Sequence, residues 1–241
     1  MWHISPSGTT DPVFTVAPPA SLTDSAHEAI AASIYSGAMA PGSRIVIDQV
    51  ATALSMSISP VREALMRLAA EGLVTFEANR GYTVAPHLGE VEFDQLFRAR
   101  RLLECGAFDG RDRMSWSDLE VERVSRAMDA ANAASIGPDY PAYSAFSRAD
   151  HAFHEAVIEL SGNRFIHSAW RGLNFHLHIS RLYEAHGVVD YASAVDEHAV
   201  ILAAVRSGDL PALTAAIAAH IDNAAVRLRA LLSDPAGSAA Q

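Results

Sequence analysis

Four side chains in the second half of this 241-residue chain have the types and spacing to hold a metal ion: Asp150, His154, His198 and His220. Asp150 and His154 stand four residues apart in D-H-A-F-H-E-A. On a helix both project from one face, with Phe153 packing beside them. His198 falls in D-E-H-A-V-I-L-A-A-V and His220 in A-I-A-A-H-I-D-N. Apolar residues flank both at helical spacing, so both are expected to point inward. One carboxylate and three imidazoles make a mid-affinity site for Zn²⁺, Ni²⁺, Mn²⁺ or Fe²⁺, with zinc the expected ion in isolated protein. Spacing alone is weak support, because a single histidine on an apolar face is ordinarily a hydrogen-bonded core residue. The fold must bring three helices together for the four to meet.

A second kind of chemistry is written in S-I-S-P-V-R-E-A-L-M-R-L-A-A-E-G-L, residues 57–73. A polar, proline-bearing start runs into an amphipathic helix that ends at glycine. In a helix-turn-helix the second helix enters the major groove, and its N-terminal residues reach the base edges. Here those are Ser57, Ile58, Ser59 and Arg62. Serine hydroxyls can bond phosphates or bases, and Arg62 can clamp a guanine edge or a phosphate. Ala64, Leu65, Leu68 and Ala69 turn toward a small core, and Arg67 lies on the outer side. Arg80 and Gly81, in the turn that follows, place a cation near the DNA backbone or minor groove. Arg44, after the first helix, is a further phosphate contact.

The elements that must position these residues follow from periodicity and punctuation. Residues 24–37 form a helix with Ala26, Ala29, Ile30, Ala32, Ser33 and Ile34 on one face, stopped by Gly37. A turn and a short extended segment follow in A-P-G-S-R-I-V-I. A short helix at 48–55 turns Val50, Ala51 and Leu54 inward. Leu73–Phe76 and Tyr82–Ala85 are β runs around a polar turn. This order is a winged helix-turn-helix over 23–86. Pro86–Gly89 is a linker, and from Glu90 only helical patterns appear. Approximate spans are 90–112, 115–135, 139–161, 163–185, 190–207 and 209–232, separated by Gly, Pro and Ser breakers. The fold class is therefore mainly α: a winged helix-turn-helix, then an all-helical antiparallel bundle over 90–232. Residues 1–22 and 233–241 read as flexible tails.

Composition narrows the classes. Half of the residues are apolar, enough for a sizeable core. No apolar run is long enough for a membrane span, and the first twenty residues lack the pattern of a signal peptide. The single cysteine, Cys105, cannot form an internal disulfide and fits a reducing cytoplasm. The net charge of −10 argues against a generic nucleic-acid coat. A sequence-specific reader needs basic groups on one face only. All 18 basic residues are Arg, which with the abundant Ala looks like a genomic composition bias.

The run A-P-G-S-R-I…V-A-T-A-L-S-M-S-I-S-P-V-R-E-A-L-M-R-L-A-A-E-G-L-V…N-R-G-Y-T-V resembles the GntR family of bacterial transcriptional regulators over about residues 24–86. One position departs from it. Where the family usually has Arg after the serine of the turn, this chain has Ile58, which can contact a thymine methyl but cannot bind guanine. The second half looks like the FCD ligand-binding domain of the FadR subfamily. The likeness is carried by R-A-R-R-L-L-E near 100, D-H-A-F-H…S-G-N at 150–163, E-H-A-V-I-L-A-A-V-R-S-G-D at 197–209 and A-A-H-I near 218. In the metal-binding branch of that family the ligands match Asp150, His154, His198 and His220. The resemblance implies a homodimer on a palindromic DNA operator, and a small carboxylate effector near the metal.

Arg100 matches a family Arg that can face an acidic ligand, since two parallel donors meet two carboxylate oxygens. A surface pair with Glu104, four residues on, is the plainer reading. His176 and His178 are two apart on the fourth bundle helix, so at most one faces the cavity. Asn174 and Arg171 are further candidates there, and His151 is a neighbour of the metal site rather than a ligand. Trp170 and Phe175 read as core or dimer contacts. The expected function is a cytoplasmic DNA-binding regulator, a repressor by preference, controlled by a small organic acid bound near a metal. Two alternatives stand beside it. One is a direct metal sensor. The other is a helical-bundle metalloenzyme with Glu155 or Glu197 as general base, although no further nucleophile or acid–base pattern stands out.

Overall fold

A computed structural model of the chain describes residues 21–109, 114–137, 140–180, 188 and 190–232. Its first helix, α1 (Leu22–Tyr35), starts at Ser21. The Ser21 hydroxyl accepts from Asp24 N–H at 3.1 Å, and the Asp24 carboxylate accepts from the Ser21 backbone, a reciprocal cap. Strand β1 (Arg44–Ile45), α2 (Ile47–Ala53) and α3 (Ile58–Ala70) follow, then β2 (Val74–Glu77) and β3 (Gly81–Val84). The three strands form an antiparallel sheet ordered β1-β3-β2. Val61, Ala64, Leu65 and Leu68 on α3 are fully buried against α1 and the sheet. The turn after α3 passes through Gly72, whose φ of +82° is open to glycine at no steric cost.

Ser55, in the turn between α2 and α3, also sits in the left-handed region, with φ 53°. An L-residue with a Cβ is strained there by about 1–2 kcal/mol. Ser55→Gly is therefore expected to stabilise the protein by about 0.5–1 kcal/mol, because the strain relieved exceeds the added chain entropy. A rise in Tm of about 1–3 °C in a thermal melt checks it; an unchanged or lower Tm contradicts it.

The helical half comprises α4 (Glu90–Gly106), α5 (Asp118–Ala133), α6 (Tyr140–Glu159), α7 (Arg164–Arg171), α8 (Phe175–Ser180), α9 (Tyr191–Ser207) and α10 (Leu210–Leu232). α10 packs between α4 and α9, and α5 packs against α6 and α9. Several boundaries differ from expectation. α1 runs 22–35 rather than 24–37, because Ser21 caps it and draws Leu22 out of the expected tail. α5 begins after Ser117 rather than Ser115, because S-D-L-E closes a capping box between Ser117 and Glu120. α4 ends at Gly106 and gives way to a turn through Asp109. The single helix expected over 163–185 is two short ones. Asn174 holds a left-handed φ of 46°, and the chain turns at Gly172–Asn174 before α8 begins. Asn tolerates that conformation better than other residues with a Cβ. The remainder of that span, 181–185, lies outside the described residues, as do most of the N-terminal tail and all of the C-terminal tail.

The two halves touch at defined points. The Tyr143 hydroxyl of α6 donates to the carbonyl of Tyr35 at the end of α1. Asn174 Nδ2 donates to the carbonyl of Ala70, the last residue of α3, at 3.5 Å. His178 lies against Gly72, where an added Cβ would stand 3.3 Å from its Cε1.

Candidate functional site

Asp150 and His154 sit one turn apart on α6, His198 on α9 and His220 on α10. The three imidazoles converge in the interior of the helical half, each offering a nitrogen within 4.8 Å of the others. All three are buried. Asp150 Oδ1 lies 3.4 Å from His198 Nε2 and 3.9 Å from His154 Nε2. Donors about 2 Å from a shared ion stand roughly 3–4 Å apart, so small side-chain shifts close the cluster on one.

Partners assign the role of each ring nitrogen. A carboxylate only accepts and a guanidinium only donates. His154 Nδ1 therefore donates to Glu104 Oε2 at 3.1 Å, and its Nε2 accepts from Arg100 Nη2 at 2.7 Å. His220 Nδ1 donates to Glu197 Oε2 at 2.9 Å, which leaves its Nε2 lone pair for the cluster. Carboxylates behind the rings are how metal-binding histidines are oriented and made more basic. His198 differs: among the described residues neither ring nitrogen has a hydrogen-bond partner, and both are buried. Such a group costs about 1–3 kcal/mol to bury, and a shared ion removes that cost. The donor set thus fits a divalent transition metal.

Burial holds His198 well below the usual imidazole range, and the Arg100 and Arg227 charges act the same way. Burial also pulls His220 down to about 4, against the Glu197 hydrogen bond, which works upward. Both rings are therefore unprotonated near neutral pH, the form a metal requires. Burial pushes the Glu197 carboxyl up, but hydrogen bonds from His220, Arg227 and Asn223 bring it to about 2.

Arg100 and Glu104 form neither a surface pair nor a free cation. Both are buried, with Arg100 Nε donating to Glu104 Oε1 at 2.6 Å. Trp170 Nε1 donates to the same oxygen at 2.9 Å. Burial raises the Glu104 carboxyl, but the Arg100 charge and the hydrogen bonds from His154 and Trp170 outweigh it and hold it well below the carboxylate range. The Arg100 guanidinium also stacks over Phe175 at 4.1 Å. Asn174 and His178 are not at the cluster: both lie against the end of α3. The His176 side chain lies outside the described residues. His151 stacks on Trp170, and Arg171 pairs with Glu155. Glu104 and Trp170 were missed as site residues. The i,i+4 spacing of Arg100 and Glu104 was a usable signal; the Trp170 contact, 66 residues away, was not.

On the winged half, Ser57, Ile58, Ser59 and Arg62 are all exposed at the start of α3. Arg44 is exposed on β1, and Arg80 in the β2–β3 turn pairs only loosely with Glu77, at 3.5 Å. Gly81 opens β3 with φ +80°. Arg67 is tied to Asp24 on α1 at 2.6 Å.

A helix-turn-helix with a wing, joined to a helical bundle with a buried histidine cluster, defines a DNA-reading regulator with a sensor domain. Residues 22–84 match the bacterial regulatory proteins of the gntR family, and residues 95–223 match the FCD domain. The second match covers more than half of the chain, which belongs to the gntR family of regulators carrying an FCD domain. It is 25% identical to the HTH-type transcriptional regulator McbR of Escherichia coli, over 72% of this chain and 77% of that one. It is 26% identical to the gluconate operon transcriptional repressor of Bacillus subtilis, over 73% and 72%. Its fold is shared with a GntR regulator from Rhodococcus sp. RHA1, with TM-score 0.65, 24% identity and 86% and 97% coverage. E. coli McbR/YncC gives TM-score 0.64 at 20% identity, with 87% and 98% coverage. The chain is a DNA-binding transcription regulator and not an enzyme. Both carboxylates considered as general bases are already engaged, Glu155 by His167 and Arg171, and Glu197 by His220, Asn223 and Arg227. Among the described residues no helix is long and apolar enough to cross a membrane.

Proposed function

We propose that this chain is a cytoplasmic, homodimeric repressor of the FadR type. Its winged halves bind a palindromic operator through Arg44, Ser57, Ile58, Ser59, Arg62, Arg80 and Gly81, two-fold protein on two-fold DNA. Its helical half holds a divalent transition metal, zinc as isolated, through Asp150, His154, His198 and His220. A small organic acid docks beside the metal and takes Arg100 as its cationic partner. The observation that carries the sensor reading is His198. It is fully buried, its two nitrogens make no hydrogen bond among the described residues, and it faces two histidines whose far nitrogens are already held by carboxylates.

A direct metal-sensor reading is favoured by one contact. Arg100 occupies the His154 lone pair that an ion would take, so metal entry displaces it. Arg100 rests on Phe175, and the neighbouring Asn174 is bonded to the end of α3. Ion or acid can shift the DNA-reading half only by as much as each prefers one placement over the other.

Thermal melts against a panel of small carboxylates test both readings, run on protein as isolated, after chelation, and after adding zinc back. A ligand at a hundred times its Kd stabilises the folded state by about 2.7 kcal/mol. One acid raising Tm only with zinc present supports the acid-sensing reading. Zinc alone altering operator affinity supports the metal sensor. No response to zinc or to any acid, with His198→Ala melting like the parent, overturns both.

A further inference from the structure

The exposed side of α3 carries two parallel ridges of opposite character. One runs Ser59, Glu63, Arg67 and leans on α1: Glu63 accepts from Thr23 Oγ1 at 2.9 Å, and Arg67 donates to Asp24 at 2.6 Å. The other runs Ile58, Arg62, Met66 at i, i+4, i+8. Their side chains make no hydrogen bond or ion pair among the described residues, and Ile58 and Met66 are 43% and 60% exposed. Intramolecular contacts thus hold the first ridge and leave the second open to a partner. That ridge is one guanidinium between two apolar side chains.

We infer that Ile58 is a specificity-determining residue that selects thymine in the operator half-site, beside a guanine read by Arg62, with Met66 extending the apolar surface. The inference rests on the reading of this chain as a DNA-binding regulator. Four considerations carry it. The N-terminal part of the second helix is the part that reaches base edges. In the major groove the thymine C5-methyl is the one apolar group on a base edge, so an apolar side chain there has a single favourable target. Among the described residues Arg62 is the cation of α3 without an acidic partner, and guanine O6 and N7 are the bidentate match for it. Four residues of helix advance about 6 Å, close to two base steps at 3.4 Å each, which places the thymine within two base pairs of the guanine. Exposed Ser57 and Ser59 flank the ridge with phosphate-bonding hydroxyls.

The test is selection of duplexes from a randomised pool by the full-length protein. The enriched site is then rebuilt with deoxyuridine in place of the thymine, which removes only the methyl group. The parent protein is expected to enrich half-sites with a thymine within two base pairs of a guanine. It should bind the uridine duplex about 3- to 5-fold more weakly, the worth of one apolar carbon. Ile58→Ala should bind thymine and uridine duplexes equally, and Ile58→Arg should move the preference at that base pair toward guanine. Both side chains are exposed at this position, so melting temperatures should match the parent. Enrichment of no sequence overturns the DNA-binding reading itself. An enriched site whose affinity ignores the methyl, or the same methyl effect in Ile58→Ala, overturns the inference alone. A weaker protein dimer in Ile58→Ala by sedimentation assigns the ridge to a second copy and overturns it as well.

Discussion

Glu104→Ala is expected to destabilise the metal-free protein by about 3–5 kcal/mol, the range for breaking a buried ion pair by removing one partner. The reason is what stays behind. Arg100 remains buried with its charge uncompensated, and Trp170 Nε1 and His154 Nδ1 lose their acceptor. Against a total stability of roughly 5–15 kcal/mol for a typical protein, that loss is a large share. Glu104→Gln keeps an acceptor and loses only the charge, so it should fall between the parent and Glu104→Ala. Adding Arg100→Met to Glu104→Ala should recover part of the loss, because it removes the stranded cation. Urea unfolding of the four proteins reads these differences. A Glu104→Ala cost below about 1 kcal/mol, the value of an exposed pair, contradicts the buried network.

Acid is expected to weaken the chelated protein well before ordinary carboxylates titrate. His220 is held at about 4 when folded, against its ordinary 6.5. Between those values the unfolded chain binds the proton more readily, so stability falls as pH drops from about 6.5 toward 4, and above 6.5 the group contributes no slope. For His220 alone the loss by pH 4 is on the order of 3 kcal/mol. His198 shifts in the same direction and adds to it. Glu197, brought from 4.5 to about 2, extends the loss to lower pH, because its folded carboxylate resists protonation there. Urea midpoints from pH 7.5 to 4.5 measure the slope. His220→Leu should flatten it, and zinc should hold the parent flat until the ion is released. A parent midpoint that does not change across this range contradicts the burial argument.

Most of the winged half was legible in residue order, because its signals are local. Capping residues, turn glycines and the spacing of Ala64, Leu65 and Leu68 each act within a few positions. The four candidate ligands were also legible, through one i,i+4 pair and two histidines set among apolar neighbours. Less was legible where the chain breaks without proline. The left-handed turn at Asn174 splits the helix expected over 163–185; Gly172 and Asn174 are its local signals, weaker than a proline. Asn174 and His178, expected near the effector, lie against the end of α3.

The sequence by itself determined which residues could do chemistry, on which kind of element, and in what order: a DNA-reading helix first, a metal-capable set later. Those properties depend on side-chain type and short-range periodicity. The tertiary structure alone decided who faces whom. It put Glu104 and Arg100 behind His154, set Glu197 behind His220, left His198 without a hydrogen bond among the described residues, and tied one ridge of α3 to α1 while leaving the other open. Most of these contacts join residues tens of positions apart. Their formation depends on how the helices pack around a shared core, which no local pattern encodes.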